Sequence, residues 1–115
     1  MQPSKKLLQK IIKALAPYKP RKIILFGSAA RNQFKKDSDL DLIIIKETKK
    51  DFYSRIGEVL RLVRDITPKP PIDFLVYTPS EFEKMKKENY FVKEEVLEKG
   101  KVLYDSMKMF LTCQS

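Results

Sequence analysis

Apolar residues along this chain follow two alternating rhythms. From Lys5 to Ala16 they recur at helical spacing, with Leu7, Leu8, Ile11, Ile12 and Leu15 on one face, Ser4 placed as the cap and Pro17 as the stop. KIILFGS (Lys22–Ser28) is short and β-branched and reads as a buried strand. Gly27 and Ser28 end it, and Ser28 is placed to cap a helical turn over 29–32. After the polar loop QFKKDS, DLDLIII (Asp39–Ile45) reads as a second strand. Helical spacing returns between Asp51 and Ile66, where Phe52, Tyr53, Ile56, Val59, Leu60 and Val63 form the expected apolar stripe. TPKPP is a rigid connector, and IDFLVY (Ile72–Tyr77) a third strand. Thr78 or Ser80 caps a helix through Phe82 and Met85, with Pro79 in its first turn. Another helix is expected over Phe91–Lys99 with Gly100 at its C′ position, then a short strand, KVLYD (Lys101–Asp105). The order α-β-α-β-α-β-α-α-β predicts an α+β fold: a small mixed sheet of about four strands flanked by helices.

Composition narrows this picture. The 115 residues fit one domain, with residues 106–115 as a tail, and suffice to bury a core without disulfides or metal staples. The lone cysteine, Cys113, has no internal partner, which fits a reducing compartment, and no apolar run nears the roughly 20 residues of a membrane span. A cytoplasmic protein that does not enter a membrane is expected. Histidine is absent, which excludes a histidine triad or a His-ligated zinc site and leaves carboxylate, lysine or tyrosine as general base. The net charge of +9 suits an anionic partner such as a nucleotide, nucleic acid or an acidic protein face, and equally a solubilising lysine surface.

Candidate chemistry concentrates in LFGSAARNQFKKDSDLDLIII (Leu25–Ile45). Strand side chains alternate, so Asp39 and Asp41 share one face at the start of the second strand, with Ile43 and Ile45 deeper on that face. Like charges this close repel unless a cation lies between them. Mg²⁺ takes oxygen ligands and is held by one or two carboxylates plus substrate phosphates. Asp73 stands near the start of the third strand. If that strand neighbours the second, three carboxylates converge, which is the logic of two-metal phosphoryl chemistry. Gly27–Ser28 supplies a sharp turn with free backbone N–H groups that bind anions, and its glycine permits close approach of a phosphate.

The pattern G-S-x10-D-x-D, here Gly27, Ser28, Asp39 and Asp41, with Asp73 on a later strand, resembles the nucleotidyltransferase superfamily of DNA polymerase β type. The short length, and the stretch TPSEFEKMKKENYFVKEEVLEKGKVLYD, are similar to its minimal branch, the MNT proteins. The resemblance implies that Asp39, Asp41 and Asp73 hold Mg²⁺, two ions in the usual arrangement, and that Asp73 helps deprotonate an acceptor hydroxyl. It implies that Gly27 and Ser28 bind the phosphates of ATP, with AMP transferred and pyrophosphate released. It also implies a hetero-oligomer with a HEPN-domain protein, often an RNase toxin, whose tyrosine the MNT antitoxin adenylylates. The family's Gly-Ser-Arg-Ala-Arg-Gly reads GSAARN here, so Ala29 and Asn32 depart from it while Arg31 remains, to contact phosphate or to balance the carboxylates. Two other readings stand beside this one: an antitoxin that acts by binding alone, and a basic nucleic-acid-binding module. Tyr18 and Tyr77 are expected at the pocket edge, and Phe52, Tyr53, Phe82 and Phe91 in the core. Lys35 and Lys36 border the metal loop, and the tail around Met107–Leu111 faces a partner or packs on its own core.

Overall fold

The computed structural model describes residues 4–27, 30, 39–66, 71–90 and 92–106. Helix α1 (Lys5–Leu15) starts where the Ser4 hydroxyl accepts the Leu7 N–H at 3.1 Å, and it buries Ile11 and Leu15. Pro17 tightens the exit into a 3₁₀ turn, Ala16–Tyr18, and Lys19 adopts φ 55° to redirect the chain into β1 (Lys22–Phe26). β2 (Leu40–Ile45), α2 (Phe52–Val63) and β3 (Ile72–Tyr77) form a parallel strand pair joined by a crossover helix. α3 (Pro79–Glu88), a π-helical segment (Val92–Glu98) and β4 (Lys101–Asp105) complete the described chain.

The four strands lie in the order β3-β2-β1-β4, with β1 antiparallel to both neighbours and β2 parallel to β3. The mixed α+β sheet expected from the sequence is therefore present. β2 serves two cores because its side chains alternate between faces. Leu40, Leu42 and Ile44 pack with Ile11, Leu15, Val59 and Val63 of α1 and α2, while Ile43 and Ile45 pack with Ile24, Phe82, Val92 and Val96 on the opposite face. Slipping the register by one residue would exchange these two sets and turn the aspartates toward the α1–α2 face.

α2 departs from its expected orientation. Arg55, Val59 and Val63 are its buried residues, whereas Phe52, Tyr53 and Leu60 are 39%, 84% and 48% exposed. Of the four aromatics expected in the core, Phe82 is buried, Phe52 and Tyr53 are not, and Phe91 lies outside the described residues. The helix carries apolar residues on more than one side, and the set that continues through Ile66 reaches the sheet. Arg55 joins that set because its charge is answered. Its guanidinium donates to Glu81 Oε1 at 2.8 Å and to the carbonyls of Lys50 and Val76 at 2.8 and 3.2 Å. Glu81 also closes a capping box with Thr78 at the start of α3, so one carboxylate ties α2, β3 and α3 together.

The helix expected over Phe91–Lys99 is the π-helical segment, with Lys99 N–H donating to the Glu94 carbonyl. Gly100 follows it for a reason other than a left-handed cap. A side chain there would drive into the Val96 carbonyl and come within 3.1 Å of the Leu25 carbonyl. β4 can lie beside β1 because that position is bare.

Candidate active site

Parallel pairing sets the site. β2 and β3 run side by side with Asp41 opposite Asp73, and antiparallel β1 brings Phe26 opposite Asp41. Asp39 sits immediately before β2. Further along the strands, on the face shared by Asp41 and Asp73, Ile43, Ile45, Leu75 and Tyr77 belong to the core covered by α3 and the π-helical segment. The carboxylates therefore stand at the mouth of the sheet, beside the end of β1.

Gly27 closes this mouth. Its φ of 72° lies in the left-handed region, and a Cβ there would collide with Asp41 Oδ2 and approach Asp41 Cγ to 3.2 Å. Glycine was expected here to admit a phosphate. The structure adds that the Asp41 carboxylate already occupies the space a side chain would need. The Gly27 carbonyl accepts the Ala30 N–H at 3.1 Å, so the chain turns sharply after β1, and buried Ala30 anchors the turn in the α1–α2 core.

The electrostatics are those of crowded like charges. Burial raises the Asp41 carboxyl above its ordinary range, and the charges of Asp73 and Asp39 push it further the same way. Asp73 is raised by burial and by its hydrogen bond to, and repulsion from, Asp39. Among the described residues, the ion pairs are Lys22–Asp105, Lys50–Glu58, Arg55–Glu81, Lys86–Glu83 and Lys99–Glu94, and none engages these three aspartates. Also among the described residues, no three acidic side chains form a ready-made metal cage. The donor chemistry nonetheless fits Mg²⁺: hard oxygens, like charges held together, and too few ligands without phosphate oxygens to complete the shell.

Of the residues singled out in the sequence, the structure brings together Gly27, Asp39, Asp41 and Asp73. Ser28 and Arg31 lie outside the described residues, as do Ala29, Asn32, Lys35, Lys36 and the tail from Met107. Tyr18 and Tyr77 do not edge this site. Tyr77 pairs with Ile45 at the far end of β3, and Tyr18 packs near Lys46, whose ammonium lies 5.1 Å from its ring centre. Four residues of strand separate that end from Asp41 and Asp73, about 13 Å. Arg55 was missed altogether. Its signal was its position four residues before Val59 and eight before Val63, a buried-face spacing that a charged residue conceals.

The family model described as "Polymerase beta, Nucleotidyltransferase" matches residues 9–108. A Methanocaldococcus jannaschii protein, provisionally named a protein adenylyltransferase, is 33% identical over 102 residues, spanning 86% of this chain and 96% of its own. The fold is similar to a toxin–antitoxin crystal structure with AMP-PNP, with TM-score 0.61 and 20% identity over 93% of this chain and 89% of that one. It is also similar to a chain in the complex of a tri-AMPylated Shewanella oneidensis HEPN toxin with an MNT antitoxin, with TM-score 0.57 and 19% identity over 94% and 77% of the two chains. At such identities the solved structures speak for the fold, while the family match spans nearly the whole chain. With the strand order and the carboxylate mouth in place, the chain belongs to the polymerase beta nucleotidyltransferase family.

Proposed function

We propose that this chain is a minimal, MNT-type nucleotidyltransferase that moves AMP from ATP to a hydroxyl of a HEPN-domain partner, a tyrosine of an RNase toxin, and so acts as its antitoxin. The observation that carries the reading is the in-register pair Asp41–Asp73 with Gly27 packed against Asp41. The provisional name of the M. jannaschii relative supports a protein acceptor. The AMPylated HEPN toxin bound to an MNT antitoxin, among the similar folds, supports the nucleotide and the partner class. A cytoplasmic setting, with ATP at hand and Cys113 reduced, fits the same reading.

In this mechanism Asp39 and Asp41, with Asp73 as a further ligand, would hold Mg²⁺. Mg²⁺ held there would supply charge neutralisation for the phosphates. The turn at Gly27, with Ser28, offers N–H and hydroxyl donors to the β- and γ-phosphates, and Arg31 adds positive charge. The acceptor oxygen forms a bond to the α-phosphorus as the bond to the pyrophosphate oxygen breaks. The hydroxyl proton passes to Asp73, which stands beside Asp41 at the mouth of the sheet. Positioning and charge neutralisation do most of the work.

The test is incubation of the chain and its HEPN-domain partner with Mg²⁺ and ATP labelled at the α-phosphate. Label is expected on a partner tyrosine and absent with Asp39→Ala/Asp41→Ala. Neutralisation of the partner by that double variant, with binding intact, would favour an antitoxin that acts by binding alone. Failure to label any acceptor with any of the four ribonucleoside triphosphates would overturn the enzyme reading.

A further inference from the structure

We propose that the outward face of α2, built on Tyr53, Gly57, Leu60, Arg61 and Arg64, is the surface on which the partner protein docks, through a helix with an apolar ridge flanked by carboxylates. This rests on the proposed function for the identity of the partner.

Three independent features of α2 point to this face. The first is exposure: Tyr53 and Leu60 are 84% and 48% exposed, and Phe52, edge-on to Tyr53 at 6.0 Å between ring centres, is 39% exposed. Residues 53, 57, 60 and 64 recur at helical spacing and form one ridge. The second is Gly57. It sits mid-helix, where glycine weakens the helix relative to alanine, yet a Cβ there would meet nothing within 4 Å. Gly100 and Gly27 are bare because this chain's own atoms crowd them, whereas Gly57 has no such cause within the described residues. Between Tyr53 and Leu60 it leaves a notch that receives a knob from a facing helix.

The third feature is charge. Lys50 is answered by Glu58 at 3.2 Å, and Asp51 caps the helix by accepting the Ser54 N–H. Arg61 and Arg64 are exposed at the other end of the ridge, on a chain of net charge +9. An acidic partner complements them. A second copy of this chain would oppose its own arginines and Lys49 in an antiparallel pairing. Nucleic acid would engage arginine and aromatic rings but gains little from Leu60 and a bare Gly57. α2 also leads back from the end of β2 toward the start of β3, so its arginine end lies at the same end of the sheet as Asp73, on the opposite face. A partner seated there has a short path around the β3 edge to the carboxylates.

The test uses the whole chain and its HEPN-domain partner, purified separately and titrated by calorimetry. Tyr53→Glu and Leu60→Glu should each weaken binding about 30-fold or more. Arg61→Glu/Arg64→Glu should weaken it about 10-fold and flatten its salt dependence. Gly57→Leu should weaken binding while the isolated chain melts at the same or a higher temperature, a split that a purely structural glycine would not produce. Tyr90→Glu and Val102→Glu, at residues 75% and 54% exposed elsewhere, should bind as wild type. Wild-type affinity in the α2 variants would overturn the inference. So would retained partner binding with loss of a single-stranded RNA 20-mer, or loss of self-association instead of partner binding. Binding through α2 with no label transferred would sink the acceptor reading and leave the docking surface standing. Absence of partner binding by the wild-type chain would overturn both.

Discussion

β3 carries charge at both ends, and the ends solve opposite problems. At its far end, buried Arg55 meets Glu81, whose carboxyl is held below its ordinary range, first by the Arg55 hydrogen bond and further by the Thr78 N–H. Each charge there has its counter-charge, and the group joins three elements. At its near end, Asp73 stands beside Asp41 and Asp39; Asp41 is pushed up by burial and by the charges of Asp73 and Asp39, and Asp73 by burial and by its hydrogen bond to, and repulsion from, Asp39. The first arrangement contributes stability by itself. The second costs stability in the free chain, a cost that the cation and phosphate of the proposed mechanism would relieve.

The contrast can be broken most severely at Asp41. Asp41→Asn should lower AMP transfer about 1,000-fold or more, because it removes a charged ligand of the Mg²⁺ proposed to neutralise the triphosphate, while thermal unfolding of the ligand-free chain stays unchanged or moves up. Single-turnover transfer and calorimetry on one preparation measure both. Glu81→Ala should do the reverse. It should cost about 2–3 kcal/mol in urea unfolding by stranding Arg55 and opening the cap, with transfer by the folded fraction near wild type. The pH dependence follows from the lowered Glu81 carboxyl: its stabilisation is complete above its ordinary value near 4.5 and is lost as pH falls through the lower folded value. Wild-type unfolding curves should show that acid loss, and those of Glu81→Ala should lack this part of it.

Gly27→Ala sits between the two ends in magnitude. The left-handed φ alone costs about 1–2 kcal/mol, and the Cβ displaces the Asp41 carboxylate, so stability and transfer should fall together. A variant that lost only stability would separate Gly27 from the site. The smallest effect is expected for Asp73→Asn without nucleotide. Relief of repulsion should stabilise the chain by about 0.5 kcal/mol, small because Asp73, though partly desolvated, stays largely open to water that screens it.

Much of the site was legible before folding. Asp39 and Asp41 could be assigned to one face because strand side chains alternate, and the repulsion that this implies pointed to a cation between them. The partnership of Asp41 with Asp73 was legible only as a condition, that the third strand lie beside the second; the parallel pairing of β2 with β3 meets it and sets the two in register. The orientation of α2 was not legible. Its apolar residues describe more than one stripe, and nothing local reveals that Arg55 is buried once Glu81, 26 residues away, neutralises it. Tyr18 and Tyr77 were misplaced for the same reason. Proximity to a strand in sequence does not say which end of the sheet the residue occupies.

Local chemistry, then, was decided by the sequence alone: where strands and helices begin, the cap at Ser4, a cap at Thr78 or Ser80, the sharp turn after β1, and a pair of carboxylates that repel. These depend on interactions within a few residues, which the order of amino acids specifies directly. The tertiary structure decided what those pieces face. It set Asp73 beside Asp41, made Gly27 bare because Asp41 lies against it, turned Arg55 inward and left Tyr53, Gly57 and Leu60 outward. Each of those outcomes depends on partners distant in the chain, and a partner exists only once the sheet has chosen its order.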